Sequence, residues 1–301
     1  AEQTATLVIA PTPITVTIIA RDAADQVIHP GDNVVYTVSY KNTSGIALAD
    51  MVVRADLESE WFDLSTVATD GQFSSAERTI LWNASNDGRL RLLEPGAAGS
   101  VSFAVRLKPA VPSANPGAKN FMLRLGATID SPSVPFYLTG TKTTVHATSE
   151  EKIAGALSLA SRAFYRDLGA RFANQGSFPP RVNQATEYTV HWALTGERAD
   201  FGAVRVTALL ERGVAMTGKV WSSVSSTPTW NSRTQEVVWT VDRVPANAGV
   251  SEPPVEAVFQ VRAAPNNLQA NRFLPLLGES VVSGTDLFMN LGVTGRAAAL
   301  S

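Results

Sequence analysis

Alternation of apolar and polar residues dominates the chain. Val34, Tyr36, Val38 and Tyr40 alternate with Asn33, Val35, Thr37 and Ser39, and Val101, Phe103, Val105 and Leu107 alternate with Ser102, Ala104, Arg106 and Lys108. A period of two marks a strand with one face in a core and the other in water. The same pattern returns at Tyr188, Val190 and Trp192, opposite Glu187, Thr189 and His191, and again at Val237, Trp239 and Val241. Trp82, Trp192 and Trp239 fall on the inward register. Turn-rich segments such as His29-Pro30-Gly31-Asp32, Glu94-Pro95-Gly96 and Phe178-Pro179-Pro180 punctuate these runs, and helical crossovers between them are missing. The pattern predicts an all-β protein of antiparallel sheets packed face to face.

An internal duplication sets the domain count. Tyr36-Thr37-Val38 recurs as Tyr188-Thr189-Val190, and Trp82, Phe103, Pro109, Phe121 and Leu125-Gly126 reappear in order as Trp239, Phe259, Pro265, Phe273 and Leu277-Gly278, at offsets between 152 and 157. We read two tandem immunoglobulin-like β-sandwich domains of about seven strands each. The expected boundaries are an N-terminal arm or remnant of a preceding repeat at 1–12, domain 1 at 13–147, a polar linker at 148–152 and domain 2 at 153–297. Ile153, Leu157, Ala160, Phe164 and Leu168 fall at helical spacing, but Ala20-Arg21-Asp22 of the first copy returns as Tyr165-Arg166-Asp167, so this segment is expected to be the opening strand of the second copy. The connection after it is seven residues longer, 22 steps from Arg166 to Tyr188 against 15 from Arg21 to Tyr36, and an insertion of this kind belongs in a loop.

Composition narrows the setting. Of 301 residues 45% are apolar, enough for two cores, and only 17% are charged, while Ser and Thr total 52, so the surface is largely hydroxylic. The balance of 25 basic and 27 acidic residues, without blocks, gives no electrostatic footprint for nucleic acid or an anionic membrane. Cysteine is absent, which removes disulfides, thiolate nucleophiles and sulfur-ligated metals. The longest apolar run, Ala5 to Ala20, is broken by Pro11 and Pro13 and predicts no membrane insertion.

Several of these segments together carry a resemblance. Val27-Ile28-His29-Pro30-Gly31-Asp32, Tyr36-Thr37, Asn42-Thr43, Met51-Val52-Val53-Arg54-Ala55-Asp56-Leu57, Ile80-Leu81-Trp82-Asn83 and Leu93-Glu94-Pro95-Gly96 resemble the bacterial cell-surface repeat family of unknown function, over roughly Ile14 to Pro109. The second copy matches less closely, with Asn183-Gln184-Ala185 where Pro-Gly-Asp would stand and Val244-Pro245-Ala246-Asn247 in place of Leu-x-Pro-Gly. The resemblance implies an immunoglobulin-like fold, export to an extracellular, cell-surface location and arrays of such modules in envelope proteins. It implies no catalytic residue and no cofactor.

Candidate chemistry is sparse. His29, His146 and His191 lie far apart, without metal-ligand spacing, and are expected at the solvent face. Ser149-Glu150-Glu151-Lys152 fits a Ser-x-x-Lys string but lacks the companion motifs of penicillin-recognising enzymes. Acidic pairs such as Glu58 with Glu60 lack the ligand string of a calcium loop. Asn42-Thr43-Ser44 fits a glycosylation acceptor, although a turn held by the Asn42 side chain explains it better. Trp61, Trp221 and Trp230 lie in less regular stretches and are the candidates for an exposed aromatic patch. Leu7, Val8 and Ile9 give the N-terminal arm the character of a strand that could complete a neighbour's sheet.

These observations predict a protein that is not an enzyme: a structural module of an exported surface protein, as stalk, envelope layer or filament subunit. The alternatives are an adhesin-type module binding glycan or protein, and a subunit that self-associates by exchanging its arm. A pocket uniting His191 or His29 with a buried carboxylate would favour catalysis instead.

Overall fold

The computed structural model describes residues 13–22, 27–110, 117–132, 143–167, 169 and 172–301. The chain forms two compact units, one of Ala1–Pro112 with Met122–Ile153 and one of Ser113–Phe121 with Ala154–Ser301.

The strands of the first unit are β1 (Ile14–Asp22), β2 (Asn33–Asn42), β3 (Leu48–Ala49), β4 (Val52–Leu57), β5 (Ala68–Thr69), β6 (Gln72–Ser74), β7 (Thr79–Trp82), β8 (Leu92–Leu93), β9 (Ala98–Arg106), β10 (Met122–Asp130) and β11 (Val145–Lys152). They build antiparallel sheets of order β1-β2-β9-β5 and β11-β10-β4-β7-β6, with β3 and β8 paired separately. The second unit contains β12 (Ala156–Phe164), β13 (Thr186–Glu197), β14 (Phe201–Leu209), β15 (Val214–Ser222), β16 (Thr229–Asn231), β17 (Glu236–Val244), β18 (Val255–Ala263), β19 (Ser280–Asp286) and β20 (Leu291–Ala297). Its sheets run β12-β13-β18-β15 and β16-β17-β14-β19-β20. Taken strand for strand, the two units share one order, so each is the same two-sheet, immunoglobulin-like sandwich.

The alternation seen in the sequence positions both cores. Val34, Tyr36 and Val38 on β2 are fully buried, as are Val190 and Trp192 on β13 and Trp239 on β17. Each large side chain removed from water contributes about 2–3 kcal/mol. Tyr36 lies opposite Phe103 across β2 and β9, with the rings stacked at 5.3 Å. In the second unit Tyr188 lies opposite Val261, and Phe259 instead meets Trp192 edge-on at 4.9 Å. The landmark pair Phe103 and Phe259 is therefore two residues out of step with the tyrosines. Leu57 opposite Leu125 and Leu210 opposite Leu277 keep the duplication in register at the far end of the second sheet.

Asn42 is completely buried, and its amide is fully used. Nδ2 donates to the carbonyls of Ile46 at 2.7 Å and Leu93 at 2.9 Å, while Oδ1 accepts the Ser44 N–H at 2.9 Å and hydroxyl at 2.6 Å. The side chain holds the turn after β2 and offers nothing to a glycan.

Four features depart from the sequence expectation or resolve its ambiguity. The helically spaced segment is strand β12, with Leu157 and Leu159 inward and Ser158 and Ala160 outward, so its period of two prevails over the coincidental 3.6. Residues 148–152, expected as a linker, are the second half of β11, with Thr148 opposite Gly126 and Lys152 opposite Met122. An edge strand tolerates charge along its outer face, which gave it a linker's composition. Residues 117–121, expected inside domain 1, group with the second unit, where Asn120 N–H donates to the Arg198 carbonyl at 2.8 Å and Lys119 Nζ donates to Asp200 at 2.7 Å. Finally, the supposedly wet face of β13 is not wet. Thr189 is fully buried and Glu187 is 7% exposed, because the long connection between β12 and β13 lies over them.

Candidate binding cleft

That connection is pinned to the sheet by polar side chains whose placement periodicity does not reveal. Asn174 Nδ2 donates to the carbonyls of Phe164 and Tyr165, at 3.1 and 3.0 Å, and to the Thr189 hydroxyl at 2.8 Å. Gln260 on β18, fully buried, donates to the Ala173 carbonyl at 3.0 Å and Asn174 Oδ1 at 2.8 Å. Glu187 accepts the Gln175 N–H at 3.1 Å, and Thr186 donates to the Ser177 carbonyl at 3.0 Å. Buried polar groups cost free energy unless bonded, so Thr186, Thr189 and Gln260 make the inserted segment part of the fold. Gly176 lets it pass close to β13. Its φ is +105°, and a Cβ there would meet the Ala185 carbonyl oxygen at 2.6 Å.

The pinned segment carries Phe178 and Pro179 outward beside the end of β12, joined by a cis peptide bond. The Phe178 ring stacks on Tyr165 with centroids 4.8 Å apart and an interplanar angle of 15°, and Tyr165 meets Tyr188 edge-on at 6.2 Å. The Tyr165 hydroxyl donates to the Gly176 carbonyl at 2.7 Å, fixing the ring. Burial first, and the neighbouring Tyr165 second, raise the Tyr188 phenol above its ordinary pKa, so it remains a neutral hydroxyl. The segment before β19 supplies Arg272, Phe273 and Leu274 as the opposing wall. Together they enclose an open cleft of about 780 Å³. Phe178 is 64% exposed and Phe273 87%, so large apolar rings stand open at the surface.

A second, smaller cleft adjoins it through Phe164 and contains His191. The structure unites this histidine with carboxylates: Nε2 lies 2.5 Å from Asp167 Oδ2 and Nδ1 lies 2.7 Å from Glu256 Oε1. His191 is therefore not a solvent-facing residue as expected, but half-buried between two acids. The geometry does not make it a catalytic base. Both ring nitrogens are engaged, and the remaining lining residues, Ala160, Arg162, Phe164 and Ala193, include no nucleophile. The arrangement ties β13 to β18 and to the start of the inserted segment. His29 sits 3.4 Å from Asp32 in its turn, and His146 meets the Thr128 hydroxyl at 2.8 Å. Ser149 and Lys152 lie three apart on a strand, on opposite faces, so the Ser-x-x-Lys string forms no site. Among the described residues no group of three or more His, Asp or Glu is placed to hold a metal ion.

The tryptophans singled out by sequence do not form the aromatic patch. Trp61 is 6% exposed and belongs to the core of the first unit. Trp221 on β15 is half-buried, and Trp230 on β16, in the other sheet, packs against the core with its indole nitrogen enclosed. Large rings bury wherever a neighbouring strand offers cover. Leu7, Val8 and Ile9 lie outside the described residues. The cleft residues Phe164, Tyr165, Phe178 and Phe273 stand out in the sequence only as strand, turn and duplication markers and not as site candidates, although the seven-residue insertion carrying Phe178 is visible in it.

No family model matches the chain, and no curated protein matches it. Among solved structures it is similar to the C-terminal domain of the Streptococcus pyogenes antigen I/II-family protein AspA, with 10% identity over 95% of this chain and 100% of that one and a TM-score of 0.39. The C-terminal domain of the Streptococcus agalactiae antigen I/II polypeptide BspA shows 9% identity over 94% and 100% of the two chains, with a TM-score of 0.35. A major pilin subunit of Bacillus cereus shows 12% identity over 84% of this chain and 64% of that one, with a TM-score of 0.34. Likenesses at this level carry no argument about function.

Proposed function

We propose that the chain is a non-catalytic module of an exported bacterial surface protein, and that its second sandwich is an adhesin-type binding domain. One observation carries the binding reading: the segment by which the second copy exceeds the first is pinned to the sheet by buried polar residues and holds exposed aromatic rings around an open cleft. A purely structural copy needs no such segment, since the first unit builds the same strand order with a shorter connection. A cleft of a few hundred cubic ångströms, mostly apolar and preformed, suits a ligand or a short stretch of a partner. The surface setting rests on the resemblance of Ile14 to Pro109 to cell-surface repeats and on the hydroxylic, weakly charged composition.

Protein-detected NMR with a neutral aromatic probe, benzyl alcohol, tests the binding reading. Shifts concentrated at Phe164, Phe178 and Phe273, and lost in Phe178→Ala, support it. Shifts scattered over both units, or none at millimolar probe, return the chain to a structural role alone. Protease shaving of intact cells tests the setting, which requires release of fragments of this chain before lysis.

A further inference from the structure

The geometry points to an extended peptide as the occupant of this cleft, one that presents a proline or aromatic side chain next to a carboxylate. The inference rests on the cleft being a binding site and goes on to name its ligand chemistry.

Three observations select that class. The first is charge. Arg166 and Arg272 stand at the cleft, both exposed, and no Asp or Glu lines it. Neither guanidinium forms an ion pair among the described residues, a state they share with Arg162, Arg181, Arg212 and Arg233, and what sets them apart is their place beside the apolar cleft. A guanidinium fork is shaped for a carboxylate, and two unmatched forks flanking an apolar trough complement an acidic segment.

The second is the apolar character of most of the wall. Phe164, Phe178, Pro179, Pro180, Phe273, Leu274 and Leu276 offer no side-chain donors, and the Tyr165 hydroxyl is committed to the Gly176 carbonyl, which leaves the two guanidiniums, the Tyr188 hydroxyl and Ser301 as the polar groups. A sugar brings several hydroxyls, and those that face the rings would lose water without a replacement. Proline and aromatic side chains bring flat apolar faces and make no such demand.

The third is shape. The parallel Tyr165 and Phe178 rings form a platform, and the volume of about 780 Å³ suits a short stretch of chain and not a folded domain. Aromatic-lined grooves of this kind take extended, proline-containing segments at low entropic cost.

The test uses the intact chain and two peptides, acetyl-Glu-Pro-Phe-Pro-Glu-amide and its counterpart with both Glu replaced by Gln, followed by NMR titration in low salt. Sialyllactose serves as the acidic glycan. We expect the acidic peptide to bind about tenfold more tightly than the neutral one. Arg166→Gln with Arg272→Gln should erase that preference while leaving weak neutral binding, and Phe178→Ala should weaken both peptides. Equal affinity for the two peptides, a preference that survives loss of both arginines, or tighter binding of sialyllactose would each overturn the assignment while leaving the cleft as a binding site. If benzyl alcohol and both peptides all fail to bind, the binding reading itself falls.

Discussion

The carboxylate of Asp286 accepts the backbone N–H of Gly155 at 2.8 Å, across 131 positions of sequence. Its other oxygen accepts the N–H groups of Phe288 at 2.8 Å and Met289 at 3.0 Å, so a 1%-exposed acid at the end of β19 organises both the entry to β12 and the turn before β20. A Cβ on Gly155 would meet Ala199 Cβ at 2.8 Å and Phe201 Cζ at 2.9 Å, neither of them able to swing away freely. Gly155→Ala is therefore expected to lower the stability of the second unit by about 1–3 kcal/mol through overpacking. Asp286→Ala should cost at least as much by removing the acceptor of the buried Gly155 N–H and of the half-buried Phe288 and Met289 N–H groups. Urea unfolding followed by residue-resolved NMR should show the transition of the second unit moving to lower urea and that of the first unchanged.

Asp200 gives the same unit a defined acid sensitivity. Burial acts to raise its carboxyl, but the bond from Lys119, the Ala246 N–H at 2.8 Å and the Arg243 guanidinium outweigh it and hold it at about 2, below its ordinary 3.8. A carboxyl depressed in the folded state stabilises fully above its unfolded pKa and loses that contribution as pH falls through the folded one. The window here runs from about pH 4 down to pH 2, and the contribution is about 2 kcal/mol. Wild type and Asp200→Asn should differ by that amount at pH 6 and converge near pH 2. A constant difference across this range would exclude the linkage.

Asn42 should tolerate no substitution that loses its amide. Asn42→Ala strands the buried Leu93 carbonyl and removes the partner of the half-buried Ile46 carbonyl and Ser44 donors, at an expected cost of about 1–3 kcal/mol to the first unit. Asn42→Asp keeps the acceptor but replaces both donors with a buried charge, so it should be no milder. Thermal unfolding with NMR assignment of the first unit measures both, and a change under 1 kcal/mol would refute the role.

Phe178 and Phe273 should behave in the opposite way. Both rings are mostly exposed, so Phe273→Ala is expected to be close to neutral for folding, and Phe178→Ala to cost at most about 1.5 kcal/mol through the lost stack on Tyr165. On the proposed binding reading, each should nevertheless weaken occupancy of the cleft, and Phe178→Ala should remove the benzyl alcohol shifts. Unfolding curves and probe titration on the same samples separate the two effects.

The sandwich was legible in the sequence because its signal is repetitive. The alternations around Tyr36, Phe103, Val190 and Trp239 each report a buried face, and the duplication reports each of them twice. The cleft was not legible, because it depends on single polar residues with no period. Thr189 reads as outward by alternation and is outward, yet it is buried, since Asn174 comes down on it from fifteen residues earlier. Lys119 likewise meets Asp200 at a separation of 81, which no local pattern encodes. Trp61 and Trp230 misled for a related reason: irregular surroundings in sequence are no measure of exposure when a neighbouring strand supplies cover.

The cleft draws its floor from strands and its walls from the segments before β13 and before β19. Because Thr186, Thr189 and Gln260 fasten the first of these walls from beneath, the outward side chains between Gly176 and Arg181 can be exchanged with the fastening bonds kept. If the cleft binds as proposed, its specificity is then carried by an interchangeable fitting on a fixed mount.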